Sequence, residues 1–526
     1  MKKIILLPLL LSLVFCMGIP AAHAAKKKRP SLKISHFNAF VKEGRIENAF
    51  FKGLKLKASG LKNIKIDKTI FRGVNLSDSI LSGAIIQNSS FLRSSLVNVN
   101  LNGSRLLNTS VKKTVIKNSR MSYALIRDCE IFASDLKNSD LTGVVVNESS
   151  FQGVDLQGAK ISYAHISSNF SDVNFKNSDF HGSYLDNAVF FNSDFTNTNL
   201  SGAKLDRVAF NSKGKSLFKL KGTNFGFAVM KSVIMRYADL GSTFMNGIYA
   251  EDSDFSSSRF CNSLINNSML IKSSLSESDL RYVEFKNATI IDTAFTGSNL
   301  SGADFFSSNI KNSVFDNAIL HDVSFSNASL SGLTFKKTEI VNVDFDNSRL
   351  VDVNMAHSRI AKSRFKDADL RGIVLSGADI SNVDLSVKTI SGLSLKNARL
   401  QNVNLSGATL INADLSGSVF VNCNLNGLDL SGSNLKGCVI KNSDMKNAVL
   451  KKAEIKNASF HNVMMENVNF TEASLKNALF DSCNLTGGNL YKTDLKGAEF
   501  KKSVVKKVKN KSKALNINKS VGLDPA

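Results

Sequence analysis

The amino-acid sequence predicts an all-β protein that folds as a quadrilateral parallel β-helix, or solenoid, of about 23 coils. Three observations carry this prediction. An apolar residue, almost always a large one, stands at every fifth position from Ile46 to Ile166 and again from Phe170 to Val505, and only Lys215 is not apolar. Phenylalanine recurs at intervals of 20 residues, and all four prolines lie outside the periodic region.

The five-residue repeat fits neither the 3.6-residue period of a helix nor the two-residue period of a strand, so each unit must contain its own turn. In the unit at 413–417 (ADLSG), a small residue precedes the central leucine by two positions, and glycine follows it by two. Glycine or asparagine recurs at that last position in other units, and both residues form turns at low cost. The repeat thus predicts two inward side chains per unit, one large and one small.

Four such units close one coil if residues 20 apart stack directly on each other. The phenylalanines support this, since they form three series with that spacing: Phe51, Phe71 and Phe91; Phe285, Phe305, Phe325, Phe345 and Phe365; and Phe460, Phe480 and Phe500. Stacked identical side chains form internal ladders. Proline is excluded because it would remove a hydrogen-bond donor from a continuous strand ladder. The predicted interior is filled with apolar side chains and leaves no channel for a ligand.

These units resemble the pentapeptide-repeat family, whose consensus is A-(D/N)-L-X-X. The segments ADLRG at 368–372, ADLSG at 413–417 and SNLKG at 433–437 match it closely. The resemblance extends over about residues 46–505, and it implies a right-handed quadrilateral parallel β-helix. Members of the family have diverse functions, so the resemblance alone implies no particular one.

Two segments precede the solenoid. Residues 1–24 have the pattern of a secretory signal peptide, with two lysines, an apolar stretch and small residues before cleavage after Ala24. Residues 25–45 begin as a basic linker and continue as an apolar cluster that we expect to cap the first coil. No other stretch is long and apolar enough to cross a membrane, so the mature chain is expected to contain no transmembrane segment.

Two irregularities interrupt the solenoid at 46–505. The step between Ile166 and Phe170 is four residues instead of five, which predicts a register shift at 167–169. Residues 211–219 place Lys215 at a central position and Phe218 at a small-residue position, which predicts a loop that leaves the coil. The candidate contact residues of this loop are Lys213, Lys215, Leu217, Phe218 and Lys219.

The net charge of +23 is concentrated towards the two ends of the chain. Residues 31–130 contain 17 Lys or Arg against six acids, and the basic C-terminal tail comprises residues 506–526. A basic surface attracts anionic polymers and surfaces without reading a sequence. The candidate residues for such binding are Lys52, Lys55, Lys57, Lys62, Lys65 and Lys68 near the N-terminus, and Lys506, Lys507, Lys509, Lys511 and Lys513 near the C-terminus. The alternative is that these lysines only keep the protein soluble.

The sequence offers no constellation for catalysis, a cofactor or a metal. Of the five cysteines beyond the signal peptide, four occupy small inward positions, which leaves Cys261 as the candidate reactive thiol. His181, His321 and His461 are expected on one side of the solenoid but seven coils apart, too far to share a metal. The outward acids belong to the repeat consensus. We therefore expect no enzyme activity.

The sequence favours an exported, non-enzymatic, rod-like interaction scaffold or spacer in the periplasm or outside the cell, peripheral to the envelope. Its basic ends would meet an unknown protein or an anionic surface, namely lipopolysaccharide, anionic lipid or glycan. One alternative is a secreted effector that contacts a host protein or membrane through residues 211–219. A β-helical glycan-processing enzyme is less favoured, as is a DNA-mimic inhibitor of topoisomerase, because the basic ends are unlike DNA. Nucleic acid is not an expected partner, and homodimer or end-to-end association stays open.

Overall fold

The computed structural model describes residues 29–214, 216–386, 390 and 393–522. The chain divides into two compact units, Met1–Ile161 (unit 1) and Ser162–Ala526 (unit 2). Both units are parallel β-solenoids, and together they comprise about 23 turns, which confirms the predicted fold class. The predicted signal peptide, its cleavage site after Ala24, and Lys215 lie outside the described residues.

Unit 1 begins with one helix and continues as short strands. The helix α1 spans Ile34–Lys42. The strands are β1 (Arg45–Glu47), β2 (Phe50–Lys52), β3 (Lys65–Asp67), β4 (Ile70–Arg72), β5 (Ile85–Gln87), β6 (Ser90–Leu92), β7 (Arg105–Leu107), β8 (Ser110–Lys112), β9 (Leu125–Arg127), β10 (Glu130–Phe132) and β11 (Val145–Gln152). The odd-numbered strands stack on one side of the solenoid and the even-numbered strands on the next.

Unit 2 contains the remaining strands. They are β12 (His165–Ser171), β13 (Val189–Phe191), β14 (Lys204–Asp206), β15 (Ala209–Asn211), β16 (Phe218–Lys219), β17 (Val229–Lys231), β18 (Ala238–Asp239), β19 (Tyr249–Glu251), β20 (Met269–Ile271), β21 (Thr289–Ile291), β22 (Asn309–Lys311), β23 (Ile319–His321), β24 (Ser329–Ser331), β25 (Glu339–Val341), β26 (Arg349–Val351), β27 (Arg359–Ala361), β28 (Asp379–Ser381), β29 (Arg399–Gln401), β30 (Val419–Val421), β31 (Val439–Lys441), β32 (Ser459–His461), β33 (Leu479–Asp481) and β34 (Glu499–Lys501). Two 3₁₀ helices, Lys511–Lys513 and Ile517–Lys519, follow β34.

Successive coils pair in parallel with a register of 20 residues. Ile46 pairs with Ile66 in unit 1, and Leu320 pairs with Ile340 in unit 2. The pairing is regular because each five-residue repeat turns the chain at the residue two positions after its central residue, where φ is positive. Asparagine and glycine fill most of these positions, since they adopt the left-handed conformation at least cost.

The core is built from ladders of stacked side chains. Phe325 is 0% exposed, and its ring lies 4.8 Å from that of Phe305 and 5.3 Å from that of Phe345. The small inward positions are often hydroxyl residues, which satisfy backbone groups of neighbouring coils. Ser253, for example, accepts a hydrogen bond from the amide of Val233 and donates to a backbone carbonyl. Where a hydroxyl residue occupies the small position, a large apolar side chain is therefore buried beside a hydrogen-bonded polar one.

Unit 2 contains the two irregularities. His165 pairs with Tyr184, a separation of 19 residues, at the position of the predicted register shift. Further on, Asp194 pairs with Lys219, a separation of 25, because the chain gains five residues between β15 and β16. We call the described residues of this link, 212–214 and 216–217, the extruded segment. Every residue after this extruded segment therefore lies one side earlier than a count of 20 would place it.

The placement of Phe218 in an exposed loop is wrong. Phe218 is 1% exposed and starts β16, and its ring lies 5.4 Å from Phe210 and 6.0 Å from Phe195. Phe218 occupies an inward position beside these rings. Burial of its ring in the core is more favourable than its exposure to solvent in a loop.

The prediction that His181, His321 and His461 share one side of the solenoid is also wrong. His321 and His461 lie in β23 and β32 of one sheet. The row that contains His181 leads through Asn199, Asn224 and Phe244 to another side. The five extra residues of the extruded segment cause the difference.

The helix α1 covers the first coil of unit 1. Phe37 is 1% exposed and meets Phe51 edge to face at 5.5 Å, while the amide of Leu32 donates to the carbonyl of Phe50 at 2.8 Å. No helix among the described residues has the length and apolar character needed to cross a membrane.

The C-terminal tail continues the solenoid by a further coil. Lys509 pairs with Asn489, and Leu515 pairs with Asp494. The side chains of Asn510 and Asn516 donate to the coil below, at 2.8 Å and 2.7 Å. Asn510 is exposed and Asn516 is half-buried, so neither extends the apolar core.

Candidate functional site

One side of unit 1 concentrates positive charge. Its central residues are Phe51, Phe71, Phe91 and Val111, which stack in successive coils. On this side, the outward positions of these four coils contain five cations and no acid. We call these five residues the basic stripe: Lys52, Arg72, Arg93, Lys112 and Lys113.

These cations lie in two adjacent rows that run along the stacked coils. Lys52 pairs with Arg72, and Lys112 stands two coils further in the same row, with Leu92 between them. Arg93 and Lys113 occupy the turn that follows this row. Adjacent coils are about 4.8 Å apart, so the stripe extends over roughly 15 Å.

The stripe is poorly neutralised within the protein. Among the described residues, its one ion pair joins Lys112 Nζ to Glu130 Oε2 at 2.8 Å. Glu130 lies in the coil after Lys112, at the end of the stripe. Four cations therefore keep their charge available to an external anion, and their number is large enough for a salt-dependent interaction.

The six lysines predicted near the N-terminus are all exposed, but they do not form one patch. Lys52 belongs to the basic stripe. Lys55 and Lys57 lie on the next side, Lys62 follows on the side after that, and Lys65 and Lys68 flank Ile66 on the remaining side. Lys57 and Lys65 form ion pairs with Asp78 (3.2 Å) and Glu47 (3.8 Å). The six residues thus encircle the first coil and its edge.

The five lysines predicted near the C-terminus lie in the last coil of unit 2. Lys506 and Lys509 accept hydrogen bonds at their backbone carbonyls from Gly487 and Leu490, both at 3.0 Å. Lys511 and Lys513 bound the first 3₁₀ helix, and Lys507 precedes it at a turn with φ of 51°. Residues 500–522 contain no acid, so this coil is a second basic region.

The extruded segment retains part of its predicted contact set. Lys213 is exposed, Leu217 is 38% exposed, and Lys219 lies on β16 with its Nζ 3.4 Å from Asp194 Oδ2. Phe218 is buried and leaves the set, and Lys215 lies outside the described residues. The segment is a smaller contact element than predicted.

The potential metal ligands and the thiols are dispersed among the described residues. Within 29–214, 216–386, 390 and 393–522, no three His, Cys, Asp or Glu side chains are placed to hold a metal ion. Cys129, Cys261, Cys423, Cys438 and Cys483 are free thiols. Burial raises the pKa of Cys129 and Cys483 to about 11 and that of Cys438 to about 12.

The thiol of Cys261 is more accessible but is also held protonated. Burial and a 3.0 Å hydrogen bond to Asp279 Oδ2 raise its pKa, and Arg281 binds that carboxylate. We expect a thiol reagent at pH 8 to label the folded protein slowly, because the thiolate is the nucleophile. Asp279→Asn should speed the labelling several-fold by lowering the thiol pKa, and Cys261→Ser should abolish it. Rapid labelling of more than one thiol in the folded protein would contradict the burial of the other four.

A count of charges by segment along the chain does not reveal the basic stripe. A count in steps of 20 from Lys52 reaches Arg72 and Lys112 directly, and the same step from Arg93 reaches Lys113. The signal was therefore present in the sequence, since the coil period determines which residues share a side.

Comparison with protein families supports the repeat assignment. The family described as "Pentapeptide repeat region" matches residues 318–395 and 433–509. The family "Pentapeptide repeats (8 copies)" matches six segments: 69–108, 129–164, 168–207, 284–322, 298–336 and 398–437. Together these matches cover more than half of the chain. A comparison with curated proteins found no match.

Several solved structures are similar to parts of the chain. HetL of the cyanobacterium Nostoc, described as involved in heterocyst differentiation regulation, has 14% identity, a TM-score of 0.15, and coverage of 66% of this chain and 98% of its own. The Arabidopsis thaliana thylakoid-lumen pentapeptide repeat protein AT2G44920 has 26% identity, a TM-score of 0.18, and coverage of 19% and 68%.

The alginate lyase AlyGC of the PL6 family has 10% identity, a TM-score of 0.26, and coverage of 93% of this chain and 98% of its own. These TM-scores are too low to carry any functional inference, including the glycan-processing alternative. The repeat matches and the 20-residue parallel register identify the family by themselves. The protein is a member of the pentapeptide-repeat family.

Proposed function

We propose that this protein is an exported interaction scaffold that attaches to an anionic surface through the basic stripe of unit 1. The observation that carries the proposal is the stacking of five exposed or half-exposed cations on one side of four coils, with a single ion pair. The basic last coil of unit 2 supports it as a second contact region.

The chemistry of the stripe suits repeated anionic groups such as phosphates or carboxylates. Arginine forms two parallel hydrogen bonds to such a group, and lysine contributes a point charge. Lipopolysaccharide phosphates, anionic lipid headgroups and anionic glycans share this chemistry. The proposal assigns no catalytic step.

A salt series tests the stripe with vesicles of a zwitterionic lipid, with and without an anionic lipid. Wild-type protein is expected to bind only the anionic vesicles and to dissociate as salt rises. The triple variant Arg72→Gln, Arg93→Gln, Lys113→Gln should lose roughly a hundredfold in affinity, since each cation near an anionic surface contributes about 1 kcal/mol.

The matched control removes the same charge from other sides of unit 1 with Lys117→Gln, Arg120→Gln, Lys160→Gln. These three residues are exposed, and binding should stay within about twofold of wild type. Equal loss in both variants would show that net charge alone matters and would refute the stripe. If vesicle binding is retained in the presence of a soluble anionic polysaccharide, lipid headgroups are the source of the anions. If the polysaccharide displaces the protein from the vesicles, the anionic polymer is the source.

Export forms a separate part of the proposal and rests on the N-terminal sequence pattern. Cell fractionation should find the mature chain, beginning at Ala25, outside the cytoplasm. A full-length chain that retains residues 1–24 in the cytoplasm would refute export. It would leave the proposed binding role of the basic stripe unaffected.

A further inference from the structure

One side of unit 2 carries no charged residue at its outward positions over four successive coils. The coils are centred on Leu200, Phe225, Met245 and Ile265, and their outward residues pair from Asn199 to Asn224, Phe244 and Leu264. Between Asn199 and Asn267, this side displays only amide, hydroxyl, glycine, aromatic and aliphatic residues. Charged residues make up 21% of the chain, so such a stretch is unusual here. We call it the uncharged side.

Two exposed phenylalanines stand on the uncharged side. Phe227 is 75% exposed and Phe244 is 53% exposed, whereas the phenylalanines at central positions are buried. The Phe227 ring lies against Gly247 in the next coil, where an added Cβ would come within 2.7 Å of it. The same pairing of a turn aromatic with a glycine occurs at Tyr282 and Gly302, where that distance is 2.4 Å. The ring of Phe227 is thus supported from one side and open to solvent on the other.

Amide groups lie beside these rings. Asn246 uses its Oδ1 to accept a 2.9 Å hydrogen bond from the amide of Asn266, and its Nδ2 donates to no other described residue. Asn224 accepts a 2.9 Å bond from the amide of Gly226 and donates to Asn199. Fixed amides between exposed rings provide hydrogen-bond donors and acceptors without charge.

The dimensions of the uncharged side argue against a protein partner or a second copy. Four coils rise about 20 Å and the extended part of one side is about 10 Å wide, which gives roughly 200 Å². A stable protein interface buries about 800 Å² on each partner. A narrow surface that runs along the stack suits a single extended chain instead.

The chemistry of the uncharged side selects the kind of chain. A pyranose ring presents an apolar C–H face that packs on an aromatic side chain, and hydroxyl groups at its edge that bond to amides. An anionic or cationic polymer would find no countercharge here, because Asp179 and Glu284 mark the two ends of the uncharged side. We propose that the uncharged side of unit 2 binds a neutral polysaccharide chain.

Calorimetric titration of the full-length mature protein with soluble β-glucan, mannan and chitin oligosaccharides tests this proposal. At least one of them should bind, and the affinity should not change between low and moderate salt. The double variant Phe227→Asn, Phe244→Ser should weaken binding by about tenfold or more. Both replacements are residues that the repeat uses at these positions, and asparagine tolerates the φ of 59° at Phe227. The variant should therefore fold.

The matched control is Tyr123→Asn in unit 1, a turn aromatic that is 74% exposed and lies against Gly143. It should bind the oligosaccharide as wild type does, and so should the triple variant of the basic stripe, so that the two proposals fail separately. Absence of binding to all three glycans would overturn the proposal, as would unchanged affinity in the double variant. Sedimentation showing a dimer that the double variant abolishes would overturn it in favour of self-association.

Discussion

Replacement of Phe325 by aspartate is expected to open unit 2 locally and to lower its free energy of unfolding by more than 4 kcal/mol. Removal of a fully buried phenylalanine side chain costs about 3–5 kcal/mol, and burial of an unpaired carboxylate adds to this. Phe325 is 0% exposed and lies between Phe305 and Phe345, with Phe315 and Phe335 edge to face at 6.2 Å and 6.1 Å.

The damage should spread only to neighbouring coils, because each coil of a solenoid contacts the coils directly before and after it. Hydrogen exchange measured by peptide should show lost protection around residues 305–345 and retained protection far from them. Phe306→Asp is the control, since Phe306 is 43% exposed on the outer surface of the same ladder. Equal protection in the two variants would mean that the phenylalanine ladder does not hold these coils together.

Replacement of Phe37 by aspartate is expected to detach the helix α1 and expose the first coil of unit 1. The ring of Phe37 is the buried anchor of this helix, so its loss should cost about 3 kcal/mol or more locally. The strand edge that Leu32 now covers would become free to pair with other chains. Exchange should accelerate in peptides that cover residues 45–67, and light scattering should show association.

The control for the helix is Asn38→Asp, which adds the same charge at the neighbouring exposed position. It should leave exchange and scattering unchanged. If Phe37→Asp also leaves both unchanged, α1 does not cap the first coil, and the protection of its strand edge must come from elsewhere.

Most of the fold followed from the sequence because the five-residue and 20-residue periods are direct consequences of stacking. The five-residue period does not predict the helix α1, although Ile34, Phe37 and Val41 have helical spacing. Phe218 was misplaced since its position in the repeat suggested a misfit, whereas the neighbouring rings of Phe195 and Phe210 accommodate it. Tertiary packing decided that position.

The candidate surfaces were harder to predict because they depend on which side of a coil each residue faces. The six N-terminal lysines are close in sequence but surround the coil, while Arg72 and Lys112 are 40 residues apart and share a side. The exposure of Phe227 depends on Gly247 in the next coil, which a single repeat unit does not reveal. Surfaces in this fold are properties of stacked residues rather than of segments.

The extruded segment shows how this fold can accept an insertion without shifting the surfaces of the coils that follow it. A pentapeptide with one small and one apolar inward residue could be taken up into the coil, and every later coil of unit 2 would then turn by one side relative to the earlier ones. Lys213 and Lys215 stand at those two positions of the repeat, and an unpaired charge is costly to bury. Lys213 is exposed, so its charge stays outside the stack, and the faces before and after the insertion remain aligned.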